Sequence, residues 1–201
     1  MHSPNPAPAL PFHLRQGIPS DVPALHKLIE FSVLANHGPF YTQEQTDLAL
    51  QSIYIVPPVC VEDRTCFALV VPAKDSTSDI DVLISQDEIV VGVGAWTYRS
   101  KPSLVELFNP EVDPAKLTVM FVHPGWGRKG LAKLLLNACE QAAREKGFKR
   151  IEFIATFAGI GFYEKNGYRI IDKGDGKEGS MFKDAGGGVI LEYKEMGKDL
   201  V

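Results

Sequence analysis

Positive charge is not in excess in this chain: 21 Lys and Arg stand against 25 Asp and Glu, and the formal net charge is −4 at pH 7. With a pI near 5.7, nothing sequence-wide draws it to the phosphates of nucleic acid or to anionic lipid, so no nucleic-acid partner is expected. Long apolar runs are missing too. The longest, such as residues 89–96 with their glycines, fall far short of the ~20 residues that span a bilayer, so no membrane crossing is expected. Cysteine is scarce: Cys60, Cys66 and Cys139 are an odd number without C-x-x-C spacing. That excludes a disulfide framework or a zinc site and points to a reducing, cytoplasmic compartment. The opening MHSPNPAPALP lacks both the basic start and the apolar core of a secretory signal, and its four prolines read as a flexible arm over residues 1–11. What is present is 45% hydrophobic and 23% charged residues in a length of 201, the balance of one folded domain over residues 12–201.

The coarse order of elements follows from periodicity and breakers. Residues 12–15 alternate briefly and stop at Gln16-Gly17, which suits a first strand. Ser20 and Asp21 are good N-cap residues, and Leu25, Leu28, Ile29 and Val33 follow at helical spacing until His37-Gly38-Pro39. Thr42 can cap a second helix that Pro57-Pro58 breaks. Two β-type runs, residues 66–71 and 89–98, flank a polar connection at 74–88. The segment 100–116 carries three prolines and reads as an irregular excursion before a strand at 117–122. Beyond Gly130, Leu131, Leu134, Leu135, Ala138, Cys139 and Ala142 form a helical stripe that ends at Lys146-Gly147. Strands at 150–155, 168–171 and 189–193, a short helix around 162–165 and a Gly-rich, charged linker at 174–188 complete the chain.

One stretch carries chemistry. In VHPGWGRKGLAKLLL, residues 122–136, a strand feeds a glycine-rich turn and then a helix. Backbone N–H groups there have no intrahelical acceptor, and the helix dipole adds positive potential, so the turn can hold an anion. Glycines at 125, 127 and 130 permit positive φ, while Arg128, Lys129 and Lys133 add cationic charge. A P-loop is excluded, because Gly130 is followed by Leu131-Ala132 instead of Lys-Ser/Thr. Residues 125–130 spell G-x-G-x-x-G literally, so a dinucleotide fingerprint stays open, although fewer than eighty residues follow with a single long helix among them.

Across residues 12–193 the chain resembles the GNAT superfamily of N-acetyltransferases. The resemblance rests on Val122-His123-Pro124, then Gly127-Arg128-Lys129-Gly130-Leu131-Ala132, and on Phe162-Tyr163-Glu164-Lys165-Asn166-Gly167-Tyr168 downstream. The chain departs from the family at Gly127, where Gln or Arg is usual, and at Thr156, where many members carry Asn. The resemblance implies an α/β fold with a mixed, mostly antiparallel sheet of six or seven strands, splayed at the centre, and helices on both faces. It implies acetyl-CoA as cofactor, held by Met120, Phe121, Val122, Arg128, Lys129, Gly130, Leu131, Ala132, Lys133 and Thr156. It implies a small-molecule amine as acceptor, in a monomer or homodimer.

The same resemblance puts Tyr163 beside the departing sulfur as general acid, a role that a phenol of pKa ~10 can fill for a thiolate. The general base stays open among Glu106, Glu111, His37, His123 and water. The acceptor pocket is expected between the first two helices and the central strands, with His37, Phe40, Tyr41, Trp96 and Tyr98 as walls and Glu106, Glu111 and Asp113 attracting a cationic amine. Two alternatives remain: an NAD(P)-dependent oxidoreductase using residues 125–130, and a CoA-binding sensor without turnover.

Overall fold

β-branched runs bounded by turn residues make most of this protein a sheet. The computed structural model describes residues 12–73, 84–85, 87–100, 106–174, 176 and 178–200. The arm at 1–11, most of the 74–88 connection and residues 101–105 of the excursion lie outside that set. In chain order the elements are β1 His13–Gln16, α1 Val22–Asn36, α2 Gln43–Ser52, α3 Pro58–Glu62, β2 Cys66–Pro72, β3 Ile84–Ser85 and β4 Glu88–Thr97. They continue with β5 Ala115–Val122, α4 Leu131–Glu145, β6 Arg150–Ala155, α5 Ile160–Lys165, β7 Arg169–Ile170, β8 Ser180–Asp184 and β9 Ile190–Asp199.

The strands form one sheet with the path β1-β2-β4-β5-β6-β9-β7, while β3 pairs with β4 and β8 with β9. Every pairing is antiparallel except β5 with β6. A doubly wound dinucleotide domain needs a run of parallel strands, so the fingerprint reading of residues 125–130 is set aside. The count of nine strands exceeds the expected six or seven. The extra strands are the short β3 and β8, the latter inside the Gly-rich linker, where positive φ at Gly186, Gly187 and Gly188 turns the chain back into β9. Strand β5 starts at Ala115 and β9 runs on to Asp199, both longer than the apolar pattern implied, since Lys116 and the 194–199 end carry charges along half-buried edges.

Helix α1 buries Leu25, Leu28, Ile29 and Val33 completely, each contributing ~1.5–3 kcal/mol over an exposed position. Its start differs from expectation: a single 3₁₀ turn, Pro19–Asp21, precedes it, and Asp21 gives α1 no side-chain cap. The Asp21 carboxylate instead accepts from Arg15 Nη1 and Nη2 at 2.7 and 2.9 Å, from Ser85 Oγ at 2.6 Å and from Ile18 N at 2.9 Å. Thr42 does cap α2, through a reciprocal pair with Gln45.

Helix α4 covers the opposite face, and its buried stripe is Leu131, Leu135, Leu136, Cys139, Glu140 and Ala143. Leu134, expected inside, is 42% exposed. The stripe is turned because a carboxylate belongs to it: buried Glu140 accepts from Tyr168 Oη at 3.0 Å and from Lys198 Nζ at 2.8 Å. A charged residue hides a buried position from any hydrophobic count. Gly94 lets this helix approach β4, for a Cβ there would meet Leu135 Cβ at 3.2 Å and Cys139 Sγ at 3.3 Å.

Candidate active site

Parallel strands β5 and β6 pair only through Ala115 with Ile151 and Lys116 with Glu152. From Leu117 onward they separate, so the inner edge of β5 offers N–H and C=O groups to whatever lies between them. A bulge sharpens the change of direction: Val119 pairs with Ala95 and Leu117 with Trp96, which leaves Thr118 as the extra residue, its hydroxyl donating to the Ala95 carbonyl at 3.1 Å. The gap opens into a cavity of about 330 Å³ bounded by β5, β6, α1, α5 and the β8–β9 hairpin.

One end of the gap meets the glycine-rich turn. His123 stops β5, and its Nδ1 accepts from Gly125 N at 3.2 Å across the 3₁₀ turn Pro124–Trp126. Gly127 is extended at φ −60°, while the left-handed conformations fall on Arg128 at φ 61° and Gly130 at φ 79°. The expectation that all three glycines supply positive φ is thus met by Gly130 alone; Gly127 is small for a different reason, since a Cβ there would lie 3.2 Å from the Pro124 carbonyl oxygen. Helix α4 starts at Leu131 with no side-chain cap on its first N–H groups, the Lys133 and Leu134 N–H groups bonding the Gly130 carbonyl at 3.1 and 3.2 Å. Arg128 and Lys133 are exposed beside it, and Lys129 Nζ sits 4.3 Å above the Trp126 ring.

Of the residues assigned to a cofactor, Met120, Phe121, Val122, Ala132 and Thr156 line the cavity. Arg128, Lys129, Gly130 and Lys133 are not among its lining residues but flank Ala132 in sequence at the exposed turn, and Leu131 turns its side chain into the core at 1% exposure. Tyr163 also lines the cavity, packed 4.4 Å from the Phe153 ring and 5.7 Å from Tyr168. Burial, with Cys139 adding to it, pushes its phenol well above the ordinary value, so it stays protonated.

The other end of the gap is closed by hydrogen bonds between the α1–α2 region and the β8–β9 hairpin. Tyr41 Oη donates to the Glu192 carbonyl at 2.8 Å, Gln45 Nε2 to that of Ile190 at 2.7 Å and Ser52 Oγ to that of Ala185 at 3.0 Å. They form where β9 extends past the end of β6. Inside, Tyr54 and Tyr193 share a hydroxyl hydrogen bond of 3.1 Å. His37 lies between the Tyr41 and Tyr54 rings, with centroids at 5.2 and 5.1 Å. It is 3% exposed, its Nδ1 has no hydrogen-bond partner among the described residues, and burial lowers its pKa to about 4.

The expected acceptor walls fall in different places relative to this cavity. His37 lines the cavity, Tyr41 bonds across its end, and Phe40 stacks outside on Phe157 at 6.4 Å. Trp96 and Tyr98 do not line it: Trp96 packs on Phe148 at 6.1 Å in the core beneath α4. Tyr54, Phe121, Tyr193 and Lys183 stand there instead. No local pattern separates an aromatic residue on one sheet face from one on the other once bulges intervene. The expected carboxylates are elsewhere too. Glu106 bonds the Ser100 hydroxyl, Glu111 pairs with Lys149 at 2.6 Å, and Asp113 accepts from Asn109 N. Among the four base candidates, His37 alone lines the cavity; His123 is committed to its turn.

Residues 79–170 match the family model for an acetyltransferase (GNAT) domain. None of the curated proteins matches the chain by sequence. Among solved structures, the PaiA N-acetyltransferase of Thermoplasma acidophilum in complex with coenzyme A is 15% identical, covering 94% of this chain and 99% of that one with a TM-score of 0.64. A GCN5-related N-acetyltransferase from Rhodopseudomonas palustris is 16% identical, with 93% and 94% covered and a TM-score of 0.61. YncA from Salmonella typhimurium, solved with its cofactor acetyl-CoA, is 17% identical, with 94% of each chain covered and a TM-score of 0.55. At such identities the likeness is one of fold.

Proposed function

From the match of residues 79–170 to the acetyltransferase (GNAT) domain model and the fold shared with the solved acetyltransferases, we propose that this chain is a GNAT enzyme that transfers an acetyl group from acetyl-CoA to an amine. The observation that carries this reading is the parting of β5 and β6 after two residue pairs, with an anion-binding helix start at one end of the gap and a partly polar chamber at the other. The unpaired edge of β5 suits the amide-bearing pantetheine arm. The uncapped N–H groups at the start of α4, with Arg128, Lys129 and Lys133, suit the pyrophosphate.

When bound, acetyl-CoA supplies a thioester whose acyl carbon forms an N–C bond with the amine as its C–S bond breaks. The chain supplies two proton positions. His37 Nδ1, buried and unpartnered, accepts a hydrogen bond from the acceptor nitrogen. That nitrogen grows acidic as it bonds to carbon, so a weak buried base is enough to relay its proton to water. The Tyr163 phenol gives a proton to the departing sulfur. Burial raises the phenol, yet the same apolar surroundings raise the thiol, so the two stay matched.

Thermal shift with acetyl-CoA, CoA, NADH and NADPH tests the cofactor; stabilisation by a nicotinamide nucleotide and not by acetyl-CoA overturns the reading. Thiol release with an amine panel tests turnover, and binding of acetyl-CoA with no release for any amine would leave the chain a CoA sensor.

A further inference from the structure

Lys183 is the one cavity-lining residue, among those described, with a permanent charge; no Asp or Glu lines the cavity. Its position follows from register. On β8 it faces Leu191 of β9, and Met181 faces Tyr193. Cross-strand partners share a face of the sheet, and Leu191 and Tyr193 are buried, at 0% and 1% exposure. Lys183 therefore stands on the cavity side of the hairpin while its outer part meets solvent. The nearest carboxylates along these strands, Asp184 and Glu192, follow the pleat to the opposite face. They are also engaged there: Asp184 Oδ1 accepts from Gly186 N and Glu192 Oε1 from Ser180 Oγ. Lys183 makes no ion pair among the described residues, and desolvation lowers its pKa.

Lys183 is exposed along β8, yet the apolar, aromatic chamber it borders offers it no counter-ion, and a bound carboxylate would supply one. In the same chamber the unpartnered His37 Nδ1 is an acceptor that wants an N–H donor. We infer that the acceptor is a small amine that also carries a carboxylate, an amino acid in the broad sense, with its carboxylate on Lys183 and its amine toward His37. This assignment rests on the acetyltransferase reading above. A polycationic amine would bring more positive charge to a chamber with no carboxylate to receive it.

The test uses the full chain and thiol release from acetyl-CoA. Acceptors are the common amino acids, β-alanine and aminobenzoate, each set against its amide or its decarboxylated amine, with spermidine as the polycation. The best carboxylate-bearing acceptor should exceed its carboxylate-free counterpart by about tenfold or more in kcat/KM, the scale of one desolvated charge-assisted contact. Lys183→Gln should abolish that preference through KM for the acceptor. It should leave KM for acetyl-CoA, and the turnover of carboxylate-free amines, within about twofold. Preference for spermidine, equal use of acid and amide, or an unchanged acceptor KM in Lys183→Gln overturns the inference, as does binding of acetyl-CoA with no carboxylate-bearing amine acetylated. If acetyl-CoA fails to bind, the enzyme reading falls instead. The inference is then judged by thermal shift of the free protein with the same carboxylates, and it stands only if Lys183→Gln removes that shift.

Discussion

Helix α1 has a buried ionisable group at each end, and the two are treated in opposite ways. At the N-terminal end Asp21 is fully buried, and Arg15, Ser85 and Ile18 together supply its hydrogen bonds. At the C-terminal end His37 is almost as buried, yet its Nδ1 is left with no partner. The first group is finished by the protein, so its worth is stability. The second has no partner among the described residues, and under the proposed function the acceptor amine provides one.

The widest separation between the two ends is expected in stability. Asp21→Ala leaves the Arg15 guanidinium with Glu88 alone, at 2.8 Å, and the Ser85 hydroxyl and Ile18 N–H without their acceptor; it should lower the unfolding free energy by about 3 kcal/mol, read from urea denaturation. His37→Leu removes an unsatisfied buried nitrogen and should shift the same measurement by less than about 1 kcal/mol. A large loss in His37→Leu would mean that His37 is structural after all.

Turnover should reverse the order. His37→Leu should cost about tenfold or more in kcat, while Tyr163→Phe, which removes the proton for the sulfur, should cost about a hundredfold with an unchanged melting temperature. Unaltered kcat in Tyr163→Phe removes that residue from the mechanism.

Acid separates the ends again. His37 is pushed down from 6.5 to about 4 by burial, so between those values the unfolded chain binds a proton that the folded chain does not. Stability should therefore fall as pH drops through that window, by at most about 3 kcal/mol from this group, and His37→Leu should flatten the fall. At Asp21 burial alone would raise the carboxyl, but the hydrogen bonds from Arg15, Ser85 and Ile18 outweigh it and hold it below 3.8. Its contribution is complete above that value and is lost only at lower pH. Urea midpoints at stepped pH, with each variant, resolve the two windows.

The smallest effect belongs to the turn at the far end of the gap. Arg128→Gly relaxes a left-handed backbone position and should be neutral or stabilise by up to about 1 kcal/mol. Loss of its charge should raise KM for acetyl-CoA a few-fold, and more so at low salt.

Much of this was legible beforehand. The strand-turn-helix at 122–131, the proline breaks and the Thr42 cap all depend on neighbours in sequence or on motif residues. The N-terminus of α1 was misread because Asp21 is a good cap in isolation, and only Arg15 and Ser85, brought in from other strands, claim it. Leu134 and Glu140 exchanged places because ion pairing with Lys198 let a carboxylate into the core. Trp96 sits two residues along β4 from Gly94, whose face meets α4, so it packs on Phe148 there and away from the cavity.

By itself the sequence determined the order of most elements and the strand-turn-helix at 122–131, because these follow from backbone sterics, hydrogen-bond caps and short-range spacing. The tertiary structure decided where β5 and β6 part, which aromatic rings reach the gap, that His37 is left wanting a donor and that Lys183 of the β8–β9 hairpin stands opposite. Those properties belong to contacts between different elements, some of them, such as Tyr54 with Tyr193, more than a hundred positions apart, and nothing local in the chain encodes which of its charged and aromatic side chains will meet.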